Sequence, residues 1–144
     1  MSQEKEIVLT EDGNRALQEA QNFCWRHHVA IVAAEHVLAG ALVVAQQNGL
    51  KGLPTRENIE AAVVACIGTG SEQLSNNVMF GSAARDVINE TARRLAEAGG
   101  TQIGATTLAR CAIESGEVGP RFYDALGLSR AELLALLSDT SLAS

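Results

Sequence analysis

Val32-Ala33-Ala34-Glu35-His36-Val37-Leu38 and Ile103-Gly104-Ala105-Thr106-Thr107-Leu108-Ala109 write one apolar pattern twice, 71 residues apart. The same offset carries Leu9 onto Phe80, Leu17 onto Ile88, Glu19 onto Glu90, Ala41 onto Ala112 and Leu42 onto Ile113 without an insertion. Three residues later in register the match resumes, with Thr55-Arg56 on Ser129-Arg130, Ile59 on Leu133, Ala62 on Leu136 and Val63 on Leu137. Identities are few. What marks a repeat is the apolar register, kept over two separate stretches.

A chain of 144 residues, 47% hydrophobic and 19% charged, has the size of one domain and enough apolar surface to bury a core. Alanine is abundant and aromatics are only 3%, a mix suited to closely packed helices and poor for sheets. The expected class is all-α: two pseudo-twofold-related helical repeats packed as one domain over 1–144. Repeat one runs from about 9 to 67, a linker from 68 to 78, and repeat two from about 79 to 138.

Each repeat has its own punctuation. Thr10, followed by Glu11 and Asp12, suits the start of a helix that buries Ala16, Leu17, Ala20, Phe23, Cys24 and His27. An apolar connection, Val29 to Val32, leads to a second helix from about Ala34 to Ala45 whose inner face is Val37, Leu38, Ala41 and Leu42. Gln46 to Pro54 is a loop, and Thr55 caps a helix through Ile67 that buries Ile59, Ala62, Val63 and Cys66. The second copy repeats this order with helices over about Ala83–Ala98 and Ala105–Glu114, the first stopped by Gly99-Gly100. Pro120 to Gly127 is a helical segment without counterpart in the first copy. Ser129 with Glu132 forms a capping box for a last helix burying Leu133, Leu134, Leu136 and Leu137.

The two copies in this order resemble the Clp N-terminal domain, the doubled helical module that precedes the ATPase rings of Clp unfoldases and also occurs as separate small proteins. Each family repeat opens with an aromatic or aliphatic residue and Thr or Ser. It then reaches an Ile-Gly-Thr-Glu-His-Leu-Leu segment at the second helix. Here copy one has Leu9-Thr10 and keeps Glu35-His36 but lacks the preceding Gly-Thr, while copy two has Phe80-Gly81-Ser82 and keeps Ile103-Gly104 but has Thr106-Thr107 in place of Glu-His. In some family members the equivalents of Thr10 and Glu35, and of their second-copy partners, line pockets for modified arginine side chains. The resemblance therefore implies a half-formed site at Thr10, Glu35 and His36, with Ser82, Thr106 and Thr107 as a weaker or differently specialised counterpart. From the residues alone, Thr10 and Glu35 are helix caps and first-turn charges, and His36 is a hydrogen-bonded interhelix residue.

The implied function is a protein-binding module that recognises substrates or adaptors for a Clp-type AAA+ unfoldase or protease, with no catalysis of its own and no cofactor. Its partners would be protein substrates or adaptor proteins and Clp ATPase or protease components. A net charge of −6 disfavours nucleic acid, which needs a basic face. Arg85, Arg93 and Arg94 are interrupted by Asp86 and Glu90 and read as a solvated helix face. No charge-free apolar run reaches membrane-spanning length, and Met-Ser-Gln-Glu-Lys-Glu is no secretion signal, so a cytoplasmic location is expected. The plain tail, without a charged linker, favours a freestanding protein over the front of a longer ATPase.

Neither Lys5 nor Lys51 lies in a phosphate-binding Gly-Lys-Ser/Thr loop, and hydrolase elbow and His-Glu-x-x-His patterns are absent. Cys24, Cys66 and Cys111, odd in number and widely spaced, read as reduced thiols. The competing function is a small Cys/His-dependent hydrolase or metal-dependent enzyme using Cys24, His27, His28 or His36. A structural zinc site needs about four ligands at usable spacing, which these do not supply, so no metal is expected.

Overall fold

The computed structural model describes residues 8–70 and 78–138; the seven residues at the middle of the expected linker, 71–77, lie outside the described residues. Seven helices are present among the described residues: α1 Glu11–Arg26, α2 Ala34–Gln47, α3 Arg56–Ile67, α4 Ser82–Glu97, α5 Ala105–Glu114, α6 Pro120–Leu126 and α7 Arg130–Ser138. The fold is all-α, two pseudo-twofold-related helical repeats packed as one body. Helices α1 and α4 share both ends under the 71-residue offset, and α2 and α5 share their first residue.

Local chemistry sets the boundaries. The Thr10 hydroxyl accepts the Gly13 N–H and Thr55 accepts that of Asn58, each satisfying an otherwise orphaned amide. Ser129 and Glu132 exchange both capping-box bonds, Glu132 N–H to Ser129 Oγ and Ser129 N–H to Glu132 Oε1. Pro120 occupies the first turn of α6, and Gly127 ends it at φ 84°.

Short strands were not expected, and the connection from Val29 to Val32 contains one. β1 Val8–Leu9, β2 Ile31–Val32, β3 Met79–Phe80 and β4 Gln102–Ile103 form two parallel pairs, β1 with β4 and β2 with β3. Both pairs cross between copies. Val8 N–H to Thr101 O and Thr10 N–H to Ile103 O tie copy one to copy two at 2.9 and 3.0 Å. Adding the 71-residue offset to one partner and removing it from the other gives the second pair's bonds, Met79 N–H to Ala30 O and Gly81 N–H to Val32 O, at 3.0 and 2.9 Å. That exchange of roles is the mark of a twofold relation between the copies. Segments of two residues carry too little alternation to be read as strands from sequence.

The single core draws on both copies, from Ala16, Phe23 and Leu38 to Leu108, Phe122 and Leu137. Its centre is α2, buried on every side from Ala34 to Ala45 and not only along Val37, Leu38, Ala41 and Leu42. The reason is position: α1, α3, α4 and α5 all pack around it. Gly40 lets α1 approach closely, since a Cβ there would lie 2.2 Å from the Ala16 carbonyl oxygen. In α7 the burial is narrower than expected: Leu133 and Leu137 are enclosed, while Leu134 and Leu136 are partly exposed.

Candidate functional site

The strand crossings decide which helix starts meet. Thr10 follows β1, so it arrives at the start of α5, where its hydroxyl donates to Ile103 O at 3.3 Å and lies beside Gly104. Gly81 follows β3 and arrives at β2, where a Cβ would meet the Ile31 side chain at 2.7 Å and Val32 O at 3.2 Å. The expected grouping of Thr10 with Glu35 and His36 inside copy one is therefore corrected. Thr10 lies beside Gly104, which stands two residues ahead of Thr106 at the start of α5, and Ser82 opens α4 beside the strand that leads to Glu35 and His36. One crossing has the Thr10 capping hydroxyl with Thr106 at the place of Glu35; the other has Glu35 with Gly81 at the place of the cap.

Glu35 is not the partly exposed first-turn charge that the sequence suggested. Only 8% of it is exposed, and its Oε2 accepts the Gly119 N–H at 2.8 Å, with Cys66 Sγ 3.9 Å away. The segment unique to copy two thus docks its first amide on a carboxylate of copy one, and α6 packs along α3. Burial, then the neighbouring Glu35 charge, pushes the Cys66 thiol up from its ordinary value.

His36, 1% exposed, accepts the Ala33 N–H on Nδ1 at 2.9 Å, which closes the α2 start from inside the helix because Ala33 has no side chain to cap it. Burial first, then the proximity of His27, lowers its pKa to about 4. The imidazole is neutral near pH 7. Ser82 is exposed, and Thr106 and Thr107 are partly exposed.

The residues of the competing enzyme reading go separate ways. Cys24 is buried, donates weakly to Ile31 O at 3.8 Å, and burial pushes its thiol up to about 12. His27 Nε2 instead meets Glu60 at 2.6 Å, where Arg26 also binds. Burial pushes the Glu60 carboxyl up, but the Arg26 and His27 bonds and charges outweigh it and hold it below the usual range. His28 ends the α1 turn at φ 59°. Among the described residues, no group of three His, Cys, Asp or Glu side chains is arranged to hold a metal ion.

One feature had no signal in the sequence: a cleft of about 430 Å³ between α4 and the end of α5, lined by Asp86, Glu90, Arg93, Arg94, Glu114 and Glu117 among others. Arg93 binds Glu90 and Glu97, and Arg94 binds Glu114 at 2.9 Å. Reading the arginines as a solvated face was correct for α4 alone, and the facing wall from α5 needed the fold. Among the described residues no helix is long and apolar enough to cross a membrane.

No protein-family model matches this sequence, and no curated protein does. The chain has the fold of a Clp N-terminal domain. Among solved structures it is similar to the N-terminal domain of the caseinolytic-protease-associated chaperone ClpD from Arabidopsis thaliana, with a TM-score of 0.75 and 18% identity over 92% of this chain and 96% of that one.

Proposed function

We propose that this chain is a protein-binding module serving a Clp-type AAA+ unfoldase or protease, recognising substrates or adaptor proteins and performing no chemistry itself. The observation that carries the reading is the doubled fold, shared with the ClpD N-terminal domain over nearly the whole of both chains. We take residues 1–144 to act as one unit, with repeats at about 9–67 and 79–138 joined by 68–78, in a cytoplasmic setting. The absence of a nucleotide-binding lysine motif supports a non-catalytic role. So does the Cys24 thiol, which at about 12 does not supply a thiolate nucleophile near neutral pH.

The recognition surface is proposed to lie at the two crossings of helix starts, Thr10 with Thr106 and Thr107, and Ser82 with Glu35 and His36. Thr10, Glu35 and His36 hold the backbone there, because their polar atoms already bond within the domain. Ser82, Thr106 and Thr107 are the more accessible groups for a partner. Grafting the chain onto a Clp ATPase in place of its own N-terminal domain tests the reading. Degradation of casein different from that by the ring lacking an N-terminal domain supports it. A graft indistinguishable from the truncated ring overturns it, and so does nucleotide or ester turnover by the isolated chain.

A further inference from the structure

Polar side chains that copy two lacks close the outer edge of the seam between α1 and α2. Asn48, which ends α2, donates from its side-chain amide to Asp12 Oδ2 at 2.8 Å. Arg15 bonds Asp12 at 3.3 Å and also bonds the Gln47 side chain. Under the 71-residue offset the places of Asn48, Asp12, Arg15 and Gln47 are taken by Gly119, Ala83, Asp86 and Val118, a set that cannot make these bonds.

The residue after Asn48 is glycine. Gly49 is exposed, carries no Cβ and has open space around it. Asn14, Asn22, Asn58 and Asn89 are exposed too, but each lies inside a helix and precedes a full side chain, Arg15, Phe23, Ile59 or Glu90. The side-chain carbonyl carbon of an asparagine can be attacked by the backbone nitrogen of the next residue. A bulky next residue shields that nitrogen, and a continuing helix holds it away. Among these five, Asn48 alone escapes both restraints, at a last turn where fraying is cheap. In the closed turn the Gly49 N–H bonds Gln46 O at 3.0 Å and Asp12 holds the amide, so attack requires the turn to open.

We propose that Asn48 is a deamidation site, that Asp12 guards it, and that its conversion unfastens this edge of the seam. With the turn open, a base takes the Gly49 amide proton and the nitrogen attacks Asn48 Cγ. The bond from Cγ to the side-chain nitrogen breaks, and ammonia leaves with a proton from water, giving a cyclic imide. Water then opens the ring at either carbonyl to leave aspartate or isoaspartate, so that overall a water is consumed and an ammonia released. Either product sets a carboxylate against Asp12 and at the negative end of α2, and isoaspartate also lengthens the main chain within the turn.

The test incubates the intact chain in warm, mildly alkaline buffer and maps its peptides by mass, with isoaspartate read by isoaspartyl methyltransferase labelling. The amide-to-acid mass gain should concentrate at Asn48, and conversion there no faster than at Asn14, Asn22, Asn58 and Asn89 would overturn the site. Asp12→Ala should speed the conversion severalfold, whereas Glu11→Ala, which removes an exposed neighbouring carboxylate, should not. Equal rates in the two variants would overturn the guarding role. Asn48→Asp should melt about 2 °C below the wild type near neutral pH, and the difference should shrink when both chains also carry Asp12→Ala. An unchanged melting temperature would overturn the unfastening.

Discussion

Helices α1 and α2 in copy one and α4 and α5 in copy two descend from one pattern, yet the first pair interlocks and the second gapes. In copy one Gly40 lets the α2 backbone approach the Ala16 carbonyl, and Ala16, Ala20 and Phe23 fill the seam without exposure. In copy two the position of Gly40 is Cys111, that of Ala20 is Thr91, and that of Phe23 is Arg94. The Thr91 hydroxyl turns back to Val87 O at 2.6 Å, which satisfies it without drawing the helices together. One pattern thus supports two packings: a close seam between α1 and α2 and a looser one between α4 and α5.

The largest effect is expected where the tight pair is tightest. Gly40→Val should prevent folding or destabilise by more than about 3 kcal/mol, because its Cβ would overlap backbone that cannot step aside. Cys111→Val at the matching site should cost at most about 1 to 2 kcal/mol. Urea denaturation of both variants checks the contrast, and equal costs would break it.

Acid should unlock copy one before copy two. His36 has its folded pKa lowered from 6.5 to about 4, so between those values the unfolded chain holds a proton that the folded chain refuses. Stability contributed by the neutral ring is therefore complete above about pH 6.5 and is lost as pH falls toward 4, about 3 kcal/mol in all. Glu60 adds a loss lower down, since its depressed carboxyl protonates only below the usual carboxylate range. Copy two has Thr107 at the place of His36 and no such titration. Melting temperatures of the wild type and His36→Gln across this range separate the terms: the variant should be less stable near neutrality and flatter between pH 6.5 and 4.

Much of this asymmetry was hidden in the sequence, for physical reasons. Periodicity and caps place helices well, because Thr10, Thr55 and Ser129-Glu132 act within four residues, and the termini of α3 and α5 follow. Partners 84 and 93 residues apart, Glu35 with Gly119 and Thr10 with Ile103, depend on how the chain crosses over, which no local pattern encodes. The two-residue strands are what make it cross. Within-copy reasoning therefore put Thr10 beside Glu35 and His36, where the structure sets it at the start of α5, and it missed a cleft whose walls come from different helices.

Glu35 measures the docking of copy two's extra helix onto copy one. Glu35→Ala should cost about 2 kcal/mol by leaving the Gly119 amide without its acceptor, whereas Thr106→Ala at the matching position should stay within about 0.5 kcal/mol. Thermal melts suffice. If Glu35→Ala is as mild as Thr106→Ala, water replaces the carboxylate and α6 is held by its packing on α3.

The smallest difference expected lies at the ends of α1 and α4, where the copies solve one turn with different residues. His28 and Gly99 stand at matching positions, with φ 59° and 80°, and the following amides, Val29 and Gly100, both bond back to the carbonyls of Cys24 and Leu95 at 2.8 Å. Left-handed backbone costs an ordinary residue roughly 1 kcal/mol that glycine avoids, while glycine loses more freedom on folding. His28→Gly removes the strain but also the contacts of the imidazole, so a gain of only about 0.5 kcal/mol is expected. Gly99→His adds strain without those contacts and should cost about 1 kcal/mol. Opposite signs in calorimetry would show that the turn itself sets the energy. If His28→Gly destabilises instead, the His28 side chain contributes more than its backbone strain costs, and copy one is tied together at this corner as well as along the Gly40 seam.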